Sequence, residues 1–333
     1  MLGIHRVGGD QGSGKMLNAT DPPRHDELRR LVNRCFVPRA VATLEEYLRA
    51  VAAESLEAAL AQERVDLAAV VAPLPAAGIS ALLGVPRADW DLLLGLTSTA
   101  FGSFDSEYQV TGDVRANAAQ AHGMLLLYFR ELVDDRRHAT DDGIVTLLAR
   151  AEAAGELSEE ESMLFLDLLM LGGNETTRHG AVGGVLALVE SPRQWERLRA
   201  LPEVTPAAVN EVLRWTSPSR HVLRRARRDV ELHGRTIRAG EDVVVWHTSM
   251  NRDERAFPEP DRFDLGRTPN VHAAFGSGAH YCLGAALATL ELRVFLGELA
   301  RRVARVELLA PPKRLASSVI NGIKHLDVRL HAA

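Results

Sequence analysis

The strongest constraint on this chain is a ten-residue segment, Phe275-Gly276-Ser277-Gly278-Ala279-His280-Tyr281-Cys282-Leu283-Gly284. Two glycines at alternate positions permit a tight turn with positive φ and exposed backbone N–H groups. A helical pattern runs on from Gly284, so the cysteine stands where a long helix starts. Backbone N–H groups and the helix dipole stabilise a thiolate at such a place. A thiolate held by backbone donors is a suitable axial ligand for haem iron, and its charge favours O–O cleavage. His280, two residues earlier, can donate to a haem propionate. The bland reading of any single cysteine is a buried, inert small hydrophobe. Cys35, the other of the chain's two cysteines, suits it.

The segment resembles the cysteine-loop signature of the cytochrome P450 family, Phe-x-x-Gly-x-His/Arg-x-Cys-x-Gly, at every fixed position. The resemblance implies haem b (iron protoporphyrin IX) as cofactor and Cys282 as its metal ligand. Phe275, Gly276, His280 and Gly284 would form the cofactor-binding loop around it. A second motif, Gly172-Gly173-Asn174-Glu175-Thr176-Thr177, interrupts a helical pattern over 158–189. Paired glycines inside a helix cost roughly 1 kcal/mol each relative to alanine. Thr176 can bond back to the Gly172 carbonyl and open the helix locally into a small polar groove. On the residues alone, a helix that ends at the glycines and is recapped by Asn and Thr is an equal alternative. By resemblance, Glu175 and Thr176 are the catalytic acid–alcohol pair that relays protons to dioxygen.

Further positions follow in the family's order. Glu211 and Arg214 share one helix face; such a pair alone is usually a solvated salt bridge. The segment Pro260-Asp261-Arg262-Phe263 resembles the one that supplies a second arginine, so Glu211, Arg214 and Arg262 take a structural role. Haem carboxylates need partners when partly buried. His25 and Arg29, one helical turn apart, then Arg224 and His280, match the family's propionate binders. His122, His179, His247 and His272 show no metal-ligand spacing and read as surface or satisfied core residues.

Abundant Ala and Leu, with aromatics at 5%, point to a helical core. Helices are expected from Asp21 as an N-cap, over 42–62, near 87–101, 112–133 and 142–153, over 158–189, over 206–215 and over 284–306. The uncharged run 67–86 reads as a buried helix entered through a proline turn, because Pro73, Pro75 and Gly78 argue against a membrane span. Segments within 221–250 and the last thirty or so residues read as short strands. The expected fold is mainly α with a minor β portion, in two parts: a Gly-rich loop remnant at 1–20 and a haem-binding body at 21–333. Family members usually carry several tens more residues before Asp21. The fold is therefore expected to be P450-like but to lack part of the N-terminal β-sheet and the first helices.

A net charge of −5 excludes a nucleic-acid binder that relies on a global positive field. The N-terminus lacks the apolar core of an export signal, so a cytoplasmic protein is expected. Gly9 to Met16 nearly fits a phosphate-binding loop around Lys15, but Met16 replaces the Mg²⁺-ligating hydroxyl and no strand precedes it. The resemblance implies a haem-thiolate monooxygenase that inserts one atom of O₂ into a hydrophobic small molecule. Electrons would come from NAD(P)H through a ferredoxin and a ferredoxin reductase, with Arg30 and Arg34 as candidate docking cations. Pocket lining is expected near 101–104, 168–172, 221–223 and 319–321. The alternatives are a truncated, non-catalytic haem-binding remnant and a nucleotide-dependent switch acting through Lys15.

Overall fold

The computed structural model describes residues 14–109 and 113–333. In chain order the helices are α1 (Arg24–Val32), α2 (Pro38–Ala42), α3 (Glu45–Leu60), α4 (Leu67–Val71), α5 (Pro73–Leu83), α6 (Trp90–Phe101), α7 (Val114–Asp135), α8 (Ile144–Ala153), α9 (Glu159–Glu190), α10 (Pro192–Ala200), α11 (Pro206–Thr216), α12 (His247–Met250) and α13 (Ala285–Arg302). The strands are β1 (Val65–Asp66), β2 (His221–Arg225), β3 (Val230–Leu232), β4 (Arg235–Ile237), β5 (Asp242–Trp246), β6 (Val303–Leu308), β7 (Lys313–Arg314), β8 (Ile323–His325) and β9 (Asp327–Ala332). β9 pairs between β1 and β6, and three antiparallel two-stranded ribbons join β2 to β5, β3 to β4 and β7 to β8. The architecture is mainly α with a minor β portion, as the composition implied.

Helix α9 is the axis of the molecule. Ser158 and Glu161 close a capping box at its start, which satisfies two otherwise orphaned backbone N–H groups. It is apolar on nearly every side, the pattern of a helix enclosed by others, and α5, α7, α11 and α13 all pack on it. Its glycines permit that density. A Cβ on Gly184 would stand 2.8 Å from Val212 of α11, and one on Gly183 would stand 2.9 Å from Thr216. The apolar core is continuous from α1 to β9.

Several local expectations are corrected. Helix α9 runs unbroken through Gly172 and Gly173, because Thr176 bonds back inside the helix and Gly173 serves to admit Ile79 of α5. The first helix starts at Arg24 without a side-chain cap; Asp21 contributes its backbone carbonyl to the His25 N–H instead. The run 67–86 is two helices rather than one, since Pro73 lacks the N–H that would continue the ladder from α4. Among the described residues no helix is long and apolar enough to cross a membrane. The last helix yields at Val303, where pairing with β9 claims the backbone of residues 303–308. Helix α10 was not expected, although Ser191-Pro192 carries a start signal. In the Gly-rich N-terminal stretch, Met16 and Leu17 are buried, and Leu17–Ala19 forms a 3₁₀ turn.

Candidate active site

The cysteine loop is built by its glycines. Gly276 and Gly278 take φ of 68° and 71°, the left-handed region open to glycine. They turn the chain so that the Cys282 N–H reaches the Phe275 carbonyl at 2.9 Å. Gly284 caps α13, and its N–H donates to the Cys282 sulfur. The Phe275 ring packs between His272 and Tyr281, at centroid distances of 5.7 and 6.1 Å. Burial pushes the Cys282 thiol above its ordinary value, while the Gly284 N–H and Arg29 pull it down. The backbone donor at the helix start thus favours the thiolate, as the sequence position implied, against the opposing effect of burial. A metal ion bound against the sulfur would add to that stabilisation.

Four nitrogen-bearing side chains converge beside this loop. His25 of α1 is 1% exposed, and its ring stands 4.6 Å from that of His280, edge on. Its Nδ1 meets Asp26 at 2.9 Å, while its buried Nε2 has no partner. Among the described residues Arg29 donates to the carbonyls of Tyr281 (2.8 Å) and Ala279 (3.4 Å). Arg224 of β2 donates to the Leu223 carbonyl and forms no ion pair among the described residues. His280 is lowered by burial and by its neighbours His25, Arg224 and Arg29. Among the described residues its acidic neighbour is Asp21, at 3.9 Å. A buried donor without an acceptor is costly, so the orphaned His25 Nε2 and the half-buried guanidiniums beside it fit a ligand that brings carboxylates. A Cβ on Gly172 or Gly284 would meet nothing within 4 Å, so open space adjoins both α9 and the cysteine loop. The residues fit a haem.

On α9, Thr176 behaves as its spacing implied: its hydroxyl donates to the Gly172 carbonyl at 2.7 Å. Glu175 is directed elsewhere. It is fully buried and faces α6, where Ser98 (3.0 Å) and Thr97 (3.3 Å) donate to Oε1. Arg178 donates to Oε2 at 2.6 Å, and His179 approaches that oxygen to 3.3 Å without hydrogen-bond alignment. Burial alone would raise the Glu175 carboxyl; Arg178, His179 and Ser98 more than reverse this and hold it below its ordinary value. The structure thus brings Glu175 and Thr176 together in sequence but not in a shared hydrogen bond. Arg178 had a legible signal, three residues beyond Glu175 on the same helix; Thr97 and Ser98 had none.

Glu211 and Arg214 are both wholly buried and joined by two bonds of 2.7 and 2.8 Å. The second arginine is Arg267, at 3.2 Å from Glu211, and not Arg262. Arg262 points outward to Glu259 and lends only its carbonyl, to Arg214 and Arg267. The loop backbone decides which arginine turns inward, and no spacing rule reports that. Lys15 is paired with Glu160 at 2.5 Å, while Gly9 to Ser13 lie outside the described residues. Cys35 is half-buried and raised by burial, as an inert thiol would be. Arg34 pairs with Asp142 at the surface, and Arg30 is exposed. No metal-binding cluster of His, Cys, Asp and Glu occurs among the described residues. Of the expected pocket lining, Leu168, Gly172, Leu223 and Val319 keep exposed surface, whereas Leu171, His221 and Ile320 are buried.

Comparison with known proteins gives the same assignment. The family profile for cytochrome P450 matches residues 193–307. The chain is 38% identical to cytochrome P450 NovI of Streptomyces niveus, over 97% of its own length and 79% of that protein. It is 36% identical to linalool 8-monooxygenase of Pseudomonas putida, over 97% and 79%. The crystal structure of P450 OxyD, involved in the biosynthesis of vancomycin-type antibiotics, superposes with a TM-score of 0.89 at 38% identity, covering 100% of this chain and 83% of that one. With the cysteine loop, the cationic group beside it and the Glu211–Arg214 pair all in place, the chain belongs to the cytochrome P450 family of haem monooxygenases.

Proposed function

We propose that this chain binds haem b through Cys282 and inserts one atom of O₂ into a hydrophobic small molecule. It would work in the cytoplasm, with electrons from NAD(P)H delivered by a ferredoxin and its reductase. The observation that carries this reading is the convergence of His25, Arg29, Arg224 and His280 beside the Cys282 loop, where the buried His25 Nε2 has no partner and the two arginines donate to backbone carbonyls among the described residues. These four would hold the two porphyrin carboxylates, and Phe275, Gly276 and Gly284 would let the loop backbone approach the ring. The Gly284 N–H donates to the sulfur and tempers its charge. Bound there, the haem supplies the activation of dioxygen and cleavage of its O–O bond. Thr176 keeps a hydroxyl at the open face of α9, able to swing from the Gly172 carbonyl and hold a water or a proton. Glu175 can pass a proton only by leaving Arg178, so its pairing sets when that transfer occurs. A relative that acts on linalool supports a hydrophobic substrate.

The test is spectroscopic. A reduced sample treated with carbon monoxide should show the red-shifted Soret band of thiolate ligation, and Cys282→Ala should abolish it. A band retained in that variant would end this reading.

A further inference from the structure

His179 lies on α9 one helical turn beyond Glu175 and is 1% exposed. Its ring is wedged in place. A Cβ on Gly322, just before β8, would stand 2.9 Å from Cδ2, Cε1 and Nε2 alike, so a residue without a side chain is what admits the imidazole there. Nδ1 lies 3.2 Å from the Ile323 carbonyl. A carbonyl can only accept, so Nδ1 carries a hydrogen and that end of the ring is fixed. Nε2 at the other end faces Glu175 Oε2 at 3.3 Å and has no aligned partner. An imidazole carries two N–H groups only when protonated. With Nδ1–H committed to the carbonyl, a neutral ring turns a bare lone pair toward a carboxylate oxygen, whereas a proton on Nε2 makes the contact attractive.

The groups around this contact come from four elements. On α9 the neighbouring charge is Arg178, which donates to Glu175 Oε2 at 2.6 Å and to Ser98 Oγ at 3.1 Å. From α6 come the hydroxyls of Thr97 and Ser98, both on Glu175 Oε1. The connection from α6 to α7 adds Tyr108, whose phenol feels both Arg178 and Glu175. From the β8 side come only the Ile323 carbonyl and Gly322, because Lys324 is turned to Asp105 and Glu107. Glu175 is the one carboxylate in this seam, so it is the group with which His179 can exchange a proton.

We propose that His179 is a positioning residue for proton delivery: it holds a proton on Nε2 against Glu175 Oε2 and hands it to that oxygen. This rests on the haem-monooxygenase reading above and adds a control on Glu175 to it. The transfer breaks the Nε2–H bond and forms an O–H bond, leaving a neutral imidazole and a neutral carboxylic acid. An uncharged acid no longer holds the Arg178 guanidinium as an ion pair. The proton that Glu175 is to deliver thus also loosens the bond that keeps it away from Thr176. Solvent water returns a proton to the ring once Glu175 has given its own up.

The experiment uses the haem-loaded protein, reduced and bound to carbon monoxide, with isotope-labelled histidine, from pH 5 to pH 9. Long-range proton–nitrogen correlation spectra read the hydrogens on each ring of the twelve histidines. His179→Asn identifies the His179 signals; should that variant not fold, Glu175→Gln does so, by moving the ring beside it. The infrared stretch of bound carbon monoxide reports proton donors at the open face of α9. In wild type, His179 should carry hydrogen on both nitrogens at the acid end and lose the Nε2 hydrogen as pH rises. In Glu175→Gln that loss should move down by about one pH unit or more, because the carboxylate no longer holds the proton. The stretch should shift over the pH range in which wild-type His179 titrates, and should stay fixed in His179→Asn. An Nε2 that never carries hydrogen, a loss not moved down by Glu175→Gln, or a stretch with the same pH dependence in wild type and His179→Asn would overturn the proposal. If the carbon monoxide band of thiolate ligation is present, such results defeat the role of His179 alone; if it is missing, the underlying reading falls with it.

Discussion

Glu211 shows how much one buried charge can organise. Its two oxygens accept from Arg214, Arg267, Asn270 and the Asp264 N–H, at 2.7 to 3.4 Å. Arg214→Met would leave a buried carboxylate short of its closest partner and should cost about 3–5 kcal/mol. Arg262→Ala, whose side chain reaches only the exposed Glu259, should stay within about 0.5 kcal/mol of wild type. Urea midpoints of the two variants and of Arg267→Ala decide the matter; if Arg262→Ala were the more damaging arginine loss, the observed partnership would be wrong. The Glu211–Arg214 pair was readable from spacing, because three residues along a helix bring two side chains to one face. The identity of the third member was not, because Arg262 and Arg267 are equally charged and only the course of the intervening loop turns one of them inward.

Among the elements, the β7–β8 ribbon is tied down by charge. His325 of β8 lies 2.6 Å from Asp66, the N-cap of α4, and 2.5 Å from Glu107 in the α6–α7 connection. Lys324 bonds Asp105 and Glu107 at 2.6 and 2.9 Å. The bond to Asp66, followed by that to Glu107, raises the His325 pKa above its ordinary 6.5. A histidine whose folded value is raised adds stability below its unfolded value and loses it as pH rises through the folded one. Glu107 is lowered, chiefly by Lys324, so its share is present above its ordinary 4.5 and is lost as pH falls through its lowered folded value. The advantage of wild type over His325→Gln should therefore be full between these limits and fade in alkaline solution. Because the cluster is partly solvated, about 0.5–1 kcal/mol is expected. Thermal melts of both proteins at pH 6 and pH 9 test it, and an advantage unchanged at pH 9 would contradict it. None of this cluster was visible beforehand, since Asp66, Glu107 and His325 are far apart in sequence.

At the scale of the whole molecule, α5, α9 and α13 meet around a carboxyl group. Glu291 of α13 is fully buried with neither oxygen well bonded, and an oxygen lies 2.0 Å from where a Cβ on Gly78 would stand. Burial raises it well above the ordinary carboxyl range, with a Thr177 hydrogen bond opposing, so burial favours the neutral acid in the folded state. Its folded state holds a proton that the unfolded chain releases, and stability falls as pH rises past the ordinary value of 4.5. Glu291→Gln, of nearly the same shape, should fold within about 1 kcal/mol of wild type or better at neutral pH and flatten that slope, whereas Gly78→Ala should cost about 1–3 kcal/mol by overpacking. Denaturant melts across pH measure both, and a Glu291→Gln loss as large as that of Gly78→Ala would refute a neutral acid. What the chain's order of residues determined by itself was local: helical periods, the glycine turn before Cys282, and pairs such as Glu211–Arg214 or Thr176 with the Gly172 carbonyl, all set within one or two turns of backbone. What only the tertiary structure decided was which distant groups share a space. It turned Glu175 toward Thr97 and Ser98 of α6, chose Arg267 over Arg262 and gathered His25, Arg29, Arg224 and His280 beside the cysteine loop. Burial and Coulomb energy depend on distance through space, which the spacing of letters along a chain does not encode.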